Sequence, residues 1–350
     1  MISSDVEYWI ECIDLYELDK KVRGRSVLVW GAYSKGGYIS EALVAKNLDM
    51  GGYIDGHKDG SEYLGKPVFK PEKVLDSKKY YVVVAIEGVR KEIKNYLNNS
   101  NYIKDEDYFY FAEHVPDVTI SSLMGEYRDQ YNNCFVYQGE GRIDVNIHFT
   151  GGNNHITIDS NFSGKRGLQI NAAYGTEISL GKGFISRGEV LIDASMGGVI
   201  HIGNNYNVMT NANINAKYKA VIEIGDYVTS GERFFLSSGS RSGVYIGNDC
   251  MISHDVSILG TNGHSIIDDE KKENRTLKSE KPIRIGNHVW LGKGCSLLYG
   301  TDIGDGSIVG TGSMAKGIYP SNCIIAGNIA KVIREECTWD RRREIEFEEL

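Results

Sequence analysis

No run of apolar residues in this sequence approaches the length of a membrane span, and the acidic N-terminus lacks the apolar core of a signal peptide. A basic excess is missing too. The formal net charge of −8 argues against general nucleic-acid binding, so any anionic ligand must find a local cationic cluster. The six cysteines (12, 134, 250, 295, 323 and 337) form no C-x-x-C pair and no disulfide-framework spacing. They are expected to be reduced thiols of a cytoplasmic protein. Proline is scarce, with 5 residues, whereas glycine is abundant at 41, a balance that suits many tight repeated turns. Hydrophobic and charged contents of 41% and 25% are ordinary for a globular chain, and 350 residues suffice for two domains with separate cores.

The first third alternates helical and strand patterns. Val6, Trp9, Ile10, Ile13, Leu15 and Leu18 recur at roughly helical spacing, and a short apolar strand, Arg25 to Trp30, follows. Next come Gly31-Ala-Tyr-Ser-Lys-Gly36-Gly37, a helical pattern through Leu48, a strand from Gly52 to Asp55, and a third strand from Tyr80 to Ile86. Strand, glycine-rich turn, helix, strand and acid make the outline of a nucleotide-binding βαβ unit. Gly31-x4-Gly36 is an incomplete fingerprint. Gly31, Gly36 and Asp55 therefore suit either a nucleotide or nucleotide-sugar site or a βα turn that simply needs glycine. Tyr108 to Phe111 reads as an edge strand, and Pro116 marks a boundary.

From about residue 143 a repeat can be counted. Ile158, Leu180, Ile202, Ile224 and Ile246 fall at steps of 22 residues, as do Ile170, Ile192, Ile214, Leu236 and Ile258. Phe162, Phe184, Tyr206, Val228 and Cys250 make a third ladder at the same step. Three ladders in one period predict a solenoid of triangular cross-section, each coil burying its apolar face on the next. The step then stretches to 39 residues from Ile246 to Ile285 and tightens to 18 from Ile285 to Ile303. The long step accommodates a charged external loop, residues 261–281, whose stem carries Asn262, Gly263 and His264. Loops that interrupt a regular scaffold are where function is usually placed.

Several motifs stand in order here. They are Gly263-His264, Pro282-Ile-Arg-Ile-Gly-Asn-His-Val-Trp-Leu-Gly292, Ile303-Gly-Asp-Gly-Ser-Ile-Val-Gly-Thr-Gly-Ser313 and Ala326-Gly-Asn-Ile-Ala-Lys-Val-Ile333. Residues 243–334 thereby resemble the left-handed β-helix, or hexapeptide-repeat, acyltransferases, in particular the galactoside and capsule-sugar O-acetyltransferases. The N-terminal stretch, Gly31 through Asp55 with Gly65 to Phe69, is similar to the front domain of the sialic-acid O-acetyltransferase and bacillosamine N-acetyltransferase family. An α/β Rossmann-like domain (1–115) and a parallel β-helix (143–334) are expected, left-handed by the resemblance, while 116–142 reads as a connector and 335–350, charged with Trp339 and Phe347, as a helical tail packing on the solenoid or a neighbour. The resemblance also implies acetyl-CoA as co-substrate, a sugar or polysaccharide acceptor, and a homotrimer with a site at each subunit interface. Under it Trp290, Gly292, Lys293, Thr311 and Gly312 line the coenzyme channel, and Lys331 and Arg334 sit near the coenzyme's phosphates. Two departures stand out: Ala315-Lys316-Gly317 shifts the family's lysine by one, and Ile329 replaces a turn proline.

Acetyl transfer from a thioester to a hydroxyl needs a base, an oxyanion donor and two substrates held in line. A neutral imidazole titrates near working pH, so His264 is the expected general base, with Asn262 on the acceptor side. His254, in Ser253-His254-Asp255, is the rival base or a supporting group, and His288 is expected to pack. A zinc site of His254, His264 and His288 fits the spacing poorly, and no metal is expected. The scattered cysteines show no setting for an acyl-enzyme nucleophile. Three functions stay open on the sequence: O-acetylation of a sugar, N-acetylation of a nucleotide-linked amino sugar, and a non-catalytic trimeric scaffold.

Overall fold

The structure is a computed structural model that describes residues 4–86, 90–110, 117–123, 125–164, 167–239, 242–261, 267–268, 273–274 and 281–342. The chain divides into two compact units after Pro116.

The N-terminal unit begins with helices α1 (Ser4–Leu15) and α2 (Leu18–Val22). Strand β1 (Ser26–Trp30), helix α3 (Ser34–Ala45) and strand β2 (Met50–Ile54) follow, then β3 (Glu62–Tyr63), β4 (Lys66–Phe69) and α4 (Pro71–Val74). Strand β5 (Tyr80–Val84), helix α5 (Arg90–Asn99) and strand β6 (Tyr108–Tyr110) complete it. The sheet runs β3-β4-β2-β1-β5-β6, parallel throughout except for the β3–β4 hairpin. Val27 to Val29 in β1 and Val82 to Val84 in β5 have no exposure, so both faces of these strands are covered. That explains why they read as continuous apolar runs rather than alternating ones. Ile93 and Leu97 of α5 cover one face together with Leu28 and Val82, while α3 lies on β1 and β2 with α1 behind it.

The second unit is a β-solenoid, and the counted ladders are its interior. Ile158 pairs in register with Leu180, Leu180 with Ile202, Ile202 with Ile224 and Ile224 with Ile246. Ile170, Ile192, Ile214, Leu236 and Ile258 form the second buried row. The third ladder opens with ring contacts: Phe162 stacked on Phe184 at 5.9 Å, and Phe184 tilted against Tyr206 at 5.7 Å. Each coil thus has an Ile158 face, a narrow face of two-residue strands such as Ile185–Ser186, and an Ile170 face. Each buried aliphatic side chain contributes about 1.5–3 kcal/mol.

The Ile-Gly-polar signature of the repeat has a physical cause at the corner between the Ile158 and narrow faces. A Cβ on Gly225 would lie 2.7 Å from the Gly247 carbonyl carbon, so these two coils close over glycine, and of the five positions that follow the Ile158 ladder only Asp159, in the first coil, is not glycine. The next residue caps the neighbouring coil's backbone. Asn248 accepts from the Asp226 N–H at 2.8 Å, Asn287 from the Asn248 N–H at 2.9 Å, and Asp305 from the Asn287 N–H at 2.6 Å. Orphan backbone donors at the corner are satisfied one coil at a time.

Two expected segments differ. The stretch 116–142, expected as a connector, holds the strands Asp117–Leu123, Glu126–Arg128 and Cys134–Tyr137. Cys134–Tyr137 pairs with His155–Ile158, and Asp117–Leu123 runs antiparallel to Ile143–Thr150, with Tyr127 stacked on Phe149 at 6.0 Å. A solenoid's first coil presents unpaired strand edges and an open apolar end, and this stretch covers both. At the other end, residues 335–342 form no helix, and the rest of the expected helical tail lies outside the described residues. Trp339 anchors instead to a corner, because its ring N–H and carbonyl find partners there that a helix would not provide.

Candidate functional site

The corner between the narrow and Ile170 faces stacks three turns that the sequence had singled out. Ser253-His254-Asp255 lies beside Gly292-Lys293-Gly294, and Gly310-Thr311-Gly312 follows one coil on. The Gly294 N–H donates to the His254 carbonyl at 2.9 Å, and the Gly312 N–H donates to that of Lys293 at 2.8 Å. Gly292 is required by packing, since a Cβ there would lie 2.6 Å from the Val309 oxygen. Gly312 is different. It adopts φ +68° and a Cβ would meet nothing within 4 Å, so the corner opens outward at this turn. Trp290 stands on the narrow face just before the corner, half-buried, and its indole N–H donates to Ser253 Oγ at 3.1 Å. His254, Trp290, Gly292, Lys293, Thr311 and Gly312 therefore share one edge of the solenoid.

The charges on this edge are arranged around Asp255. Arg233 grips it with Nε–Oδ1 at 2.5 Å and Nη2–Oδ2 at 2.9 Å, and Lys293 Nζ lies 3.9 Å from Oδ2. The Arg233 hydrogen bond holds the Asp255 carboxyl below the usual aspartate range. His254 is exposed, and its Nδ1 accepts the Glu232 backbone N–H at 3.0 Å. A backbone N–H can only donate, so Nδ1 is the bare nitrogen and the neutral ring carries its proton on Nε2. In this arrangement His254 has no free lone pair with which to take a proton.

The other predicted residues lie elsewhere. The segment bearing Asn262 and His264 leaves the solenoid at Thr261 and returns at Lys281. Both residues, like most of the external loop, lie outside the described residues, although Ile267–Asp268 pairs antiparallel with Glu273–Asn274. That exit is at the corner between the Ile170 and Ile158 faces. Lys316 belongs to the same corner, its ammonium 4.5 Å from the Tyr299 ring centroid and 3.3 Å from its hydroxyl. Lys331 and Arg334 are exposed on the terminal hairpin, opposite Ala326 and Ile324.

His288 has work that forecloses metal binding. Its Nδ1 bonds Asp249 Oδ2 at 2.7 Å and its Nε2 bonds the Trp339 carbonyl at 2.8 Å, so neither nitrogen is open to a metal. Among the described residues no group of three His, Cys, Asp or Glu side chains is placed to hold an ion. Burial pushes the Cys250 thiol up to about 11 and the Cys295 thiol up to about 12, which leaves neither as a ready nucleophile.

Sequence reasoning missed the C-terminal strap. The Cys337 N–H donates to the Asn322 carbonyl, Trp339 lies on His288 with its ring 6.2 Å from that of Trp290, and Arg341 ends the run. Arg341 donates to Asp249 Oδ1 (3.0 Å), Thr229 Oγ1 (3.0 Å) and the carbonyls of Tyr227 (3.2 Å) and Cys250 (3.1 Å). The strap thus runs back along the solenoid axis and staples successive coils. Trp339 and Phe347 in a charged tail had pointed to packing on the solenoid or a neighbour, but as a helix.

In the N-terminal unit Gly31 ends β1 at φ +125°, and a Cβ on Gly36 would lie 1.9 Å from the Gly31 oxygen. The close strand–helix approach accounts for both glycines. Asp55 accepts the His57 N–H at 2.9 Å.

Comparison with known proteins bears out the resemblance. Residues 282–317 match the family described as bacterial transferase hexapeptide (six repeats). The chain is 35% identical over 104 residues to the polysialic acid O-acetyltransferase of Escherichia coli O1:K1, a match that covers 30% of this chain and 33% of that one. It is 36% identical over 92 residues to the galactoside O-acetyltransferase of Escherichia coli K12, covering 26% and 44% respectively. Among solved structures, the polySia-specific acetyltransferase NeuO is 27% identical, with a TM-score of 0.44 and coverage of 61% of this chain and 81% of that one. The chain thus spans about a third to under half of these two sequence relatives.

Proposed function

We propose that this chain, whose solenoid carries a hexapeptide-transferase segment, is an acetyl-CoA-dependent sugar O-acetyltransferase of bacterial surface-polysaccharide synthesis. The observation that carries the reading is the edge, open at Gly312, that gathers Trp290, Lys293, Thr311 and Gly312. The relatives' names, polysialic acid and galactoside O-acetyltransferase, support a sugar hydroxyl as acceptor.

His264 is the general base. It takes the proton of the acceptor hydroxyl as the oxygen attacks the thioester carbonyl. The tetrahedral oxyanion then collapses, the coenzyme leaves as its thiolate and recovers a proton, and the sugar keeps the acetyl ester. Proton transfer of this kind contributes roughly 10²–10⁴ in rate. The commitment of the His254 Nδ1 lone pair to the Glu232 N–H supports His264 over His254 as base and leaves His254 and Asn262 supporting roles. The raised thiols of Cys250 and Cys295 support direct attack without an acyl-enzyme.

The corner of Thr261 and the edge of Trp290 are separate corners of one solenoid. A site that unites them takes one from each of two copies, and this supports a homotrimer with three equivalent sites. Lys316 then joins from the copy that supplies His264. Lys293, Lys331 and Arg334 offer the local cations that a chain of net charge −8 needs beside the coenzyme's phosphates. Coil hand is taken as left and the N-terminal unit as Rossmann-like, the latter supported by its parallel sheet. Six free cysteines support a cytoplasmic setting.

Thiol release from acetyl-CoA across free, nucleotide-linked and polymeric sugars tests the reading. Release driven by sugars that offer only hydroxyls is expected. No release with any sugar, or release confined to amino sugars, would overturn it.

A further inference from the structure

A crevice of about 530 Å³ opens in the N-terminal unit at the carboxyl ends of three parallel strands, and of the residues the βαβ outline singled out it takes in Asp55 but neither Gly31 nor Gly36. Trp30 ends β1, Asp55 follows β2, and Ile86 follows β5. Helix α5 walls it with Glu92, Asn95, Tyr96 and Asn99, whose spacing puts them on one side of the helix. Strand order reverses at β1, with β2 on one side and β5 on the other. Open parallel sheets bind their ligands outside the carboxyl ends at such a reversal. The fold therefore selects this position before its chemistry is considered.

The chemistry disfavours phosphate. Asp55, Glu72 and Glu92 line the crevice against Lys70 and the imidazole of His57. Carboxylates in that excess repel a diphosphate. The glycine turn, where a dinucleotide's pyrophosphate would rest, is filled by the chain itself. The Tyr33 ring lies against Gly31, with Cε1 only 2.5 Å from where a Cβ would stand. The Tyr33 hydroxyl donates to the Ala85 carbonyl at 2.7 Å, and Lys58 Nζ donates to the Ala32 carbonyl at 2.5 Å. The nearby lysine is thus used on a carbonyl of the turn.

What remains suits a ring with hydroxyls. Tyr96 is 42% exposed and tilted over Trp30 at 6.1 Å, which offers an aromatic platform for an apolar ring face. Around it stand two side-chain amides and the carboxylate of Asp55, planar groups that fix a polar ligand's orientation. We propose that this crevice binds an unphosphorylated saccharide ring, with Asp55, Asn95 and Asn99 bonding its hydroxyls and Tyr96 covering one face. Such a ring is a unit of the acceptor in the function proposed above, and only that identification rests on that reading.

Ligand-observed NMR on the full-length chain tests it, with methyl glycosides of glucose, galactose and N-acetylglucosamine, free glucosamine, and uridine diphosphate and UDP-glucose in parallel. At least one phosphate-free sugar is expected to bind, with affinity falling at least about fivefold (about 1 kcal/mol) in both Tyr96→Ala and Asn99→Ala. Both positions are on the exposed side of α5, and an unchanged melting temperature confirms that the fold is kept. Nucleotide binding that Tyr96→Ala abolishes, no sugar binding at all, or binding indifferent to both substitutions would each overturn the proposal. Thiol release from acetyl-CoA in the same preparation separates the two claims. Sugar binding without thiol release sustains the crevice and sinks the acetyltransferase reading; thiol release with substitution-indifferent sugar binding does the reverse.

Discussion

His288 and Trp339 each donate a ring N–H to the other's backbone carbonyl, at 2.8 and 2.7 Å, while their rings stack 4.3 Å apart at an interplanar angle of 8°. This reciprocal pair fastens the C-terminal strap to the solenoid. It also holds a histidine at φ +53°, a left-handed corner position that other coils fill with Asn161, Gly183, Asn205, Tyr227, Asp249 and Gly306. Trp339→Ala removes a nearly buried ring, its stacking on His288 and the indole N–H bond to the His288 carbonyl, and is expected to destabilise by about 3 kcal/mol. Arg341→Ala is expected to cost about 1–3 kcal/mol by leaving Asp249 without its guanidinium. Denaturant unfolding of each variant checks the order, and amide exchange at residues 248–250 and 287–289 should accelerate in both.

The polar ladder at the same corner predicts a second graded effect. Gly225→Ala would push a Cβ to 2.7 Å from the Gly247 carbonyl carbon and 2.6 Å from Asn248 Oδ1. The backbone has nowhere to move without parting two coils, so a loss of about 1–3 kcal/mol is expected. Asn248→Ala removes only the acceptor for the Asp226 N–H and is expected to cost about 1 kcal/mol. A Gly225→Ala variant as stable as the parent would contradict the packing argument.

The two candidate histidines should separate cleanly. His264→Ala is expected to lower acetyl transfer at least about a hundredfold while the chain stays folded. His254→Ala breaks only the bond from the Glu232 N–H and is expected to change the rate by less than about tenfold. Steady-state kinetics with matched melting curves decide it, and an equal or reversed ranking would hand the base role to His254.

Asp255 gives a pH signature. Its hydrogen bond from Arg233 lowers the folded-state pKa below the ordinary 3.8. The stability it contributes is therefore fully present above the unfolded value and is lost as pH falls through the lowered one. The melting-temperature gap between wild type and Asp255→Asn should be open at neutral pH. It should close as pH drops from about 4 toward the acid limit. A gap independent of pH would show that the carboxylate's charge plays no part.

Thiol chemistry offers an independent check on the interior. Cys250 and Cys295 are fully buried with raised pKa values, whereas Cys337 is partly exposed on the strap. Iodoacetamide at mildly alkaline pH is expected to modify Cys337 in the native chain, and Cys250 and Cys295 only after denaturation. Mass spectrometry of the labelled peptides reads the outcome.

Much of the solenoid was legible because its interior is set by spacing. A residue at Ile202 touches what stands 22 positions before and after it, so the period carries the packing directly. Trp290, Gly292, Lys293, Thr311 and Gly312 were grouped by the family resemblance, and the stacking of successive coils brings their turns to one edge. The cap at 117–137 was not legible, because Asp117–Leu123 pairs with the first coil antiparallel and Cys134–Tyr137 pairs with His155–Ile158 parallel but one residue off the 22-residue step. The strap escaped for a related reason: it crosses the coils, and no period links Arg341 to Tyr227, Thr229 and Asp249.

Sequence alone determined the three ladders, their register and the place where an external segment interrupts them. Tertiary structure decided which corner each motif occupies. It separated Lys316 from Lys293, gave the His254 Nδ1 lone pair to a backbone N–H, and filled the Gly31 turn with Tyr33. The division has a physical basis. Repeated apolar burial acts between positions at a fixed interval, whereas a hydrogen bond's direction or a side chain's choice of neighbour depends on segments that no interval relates.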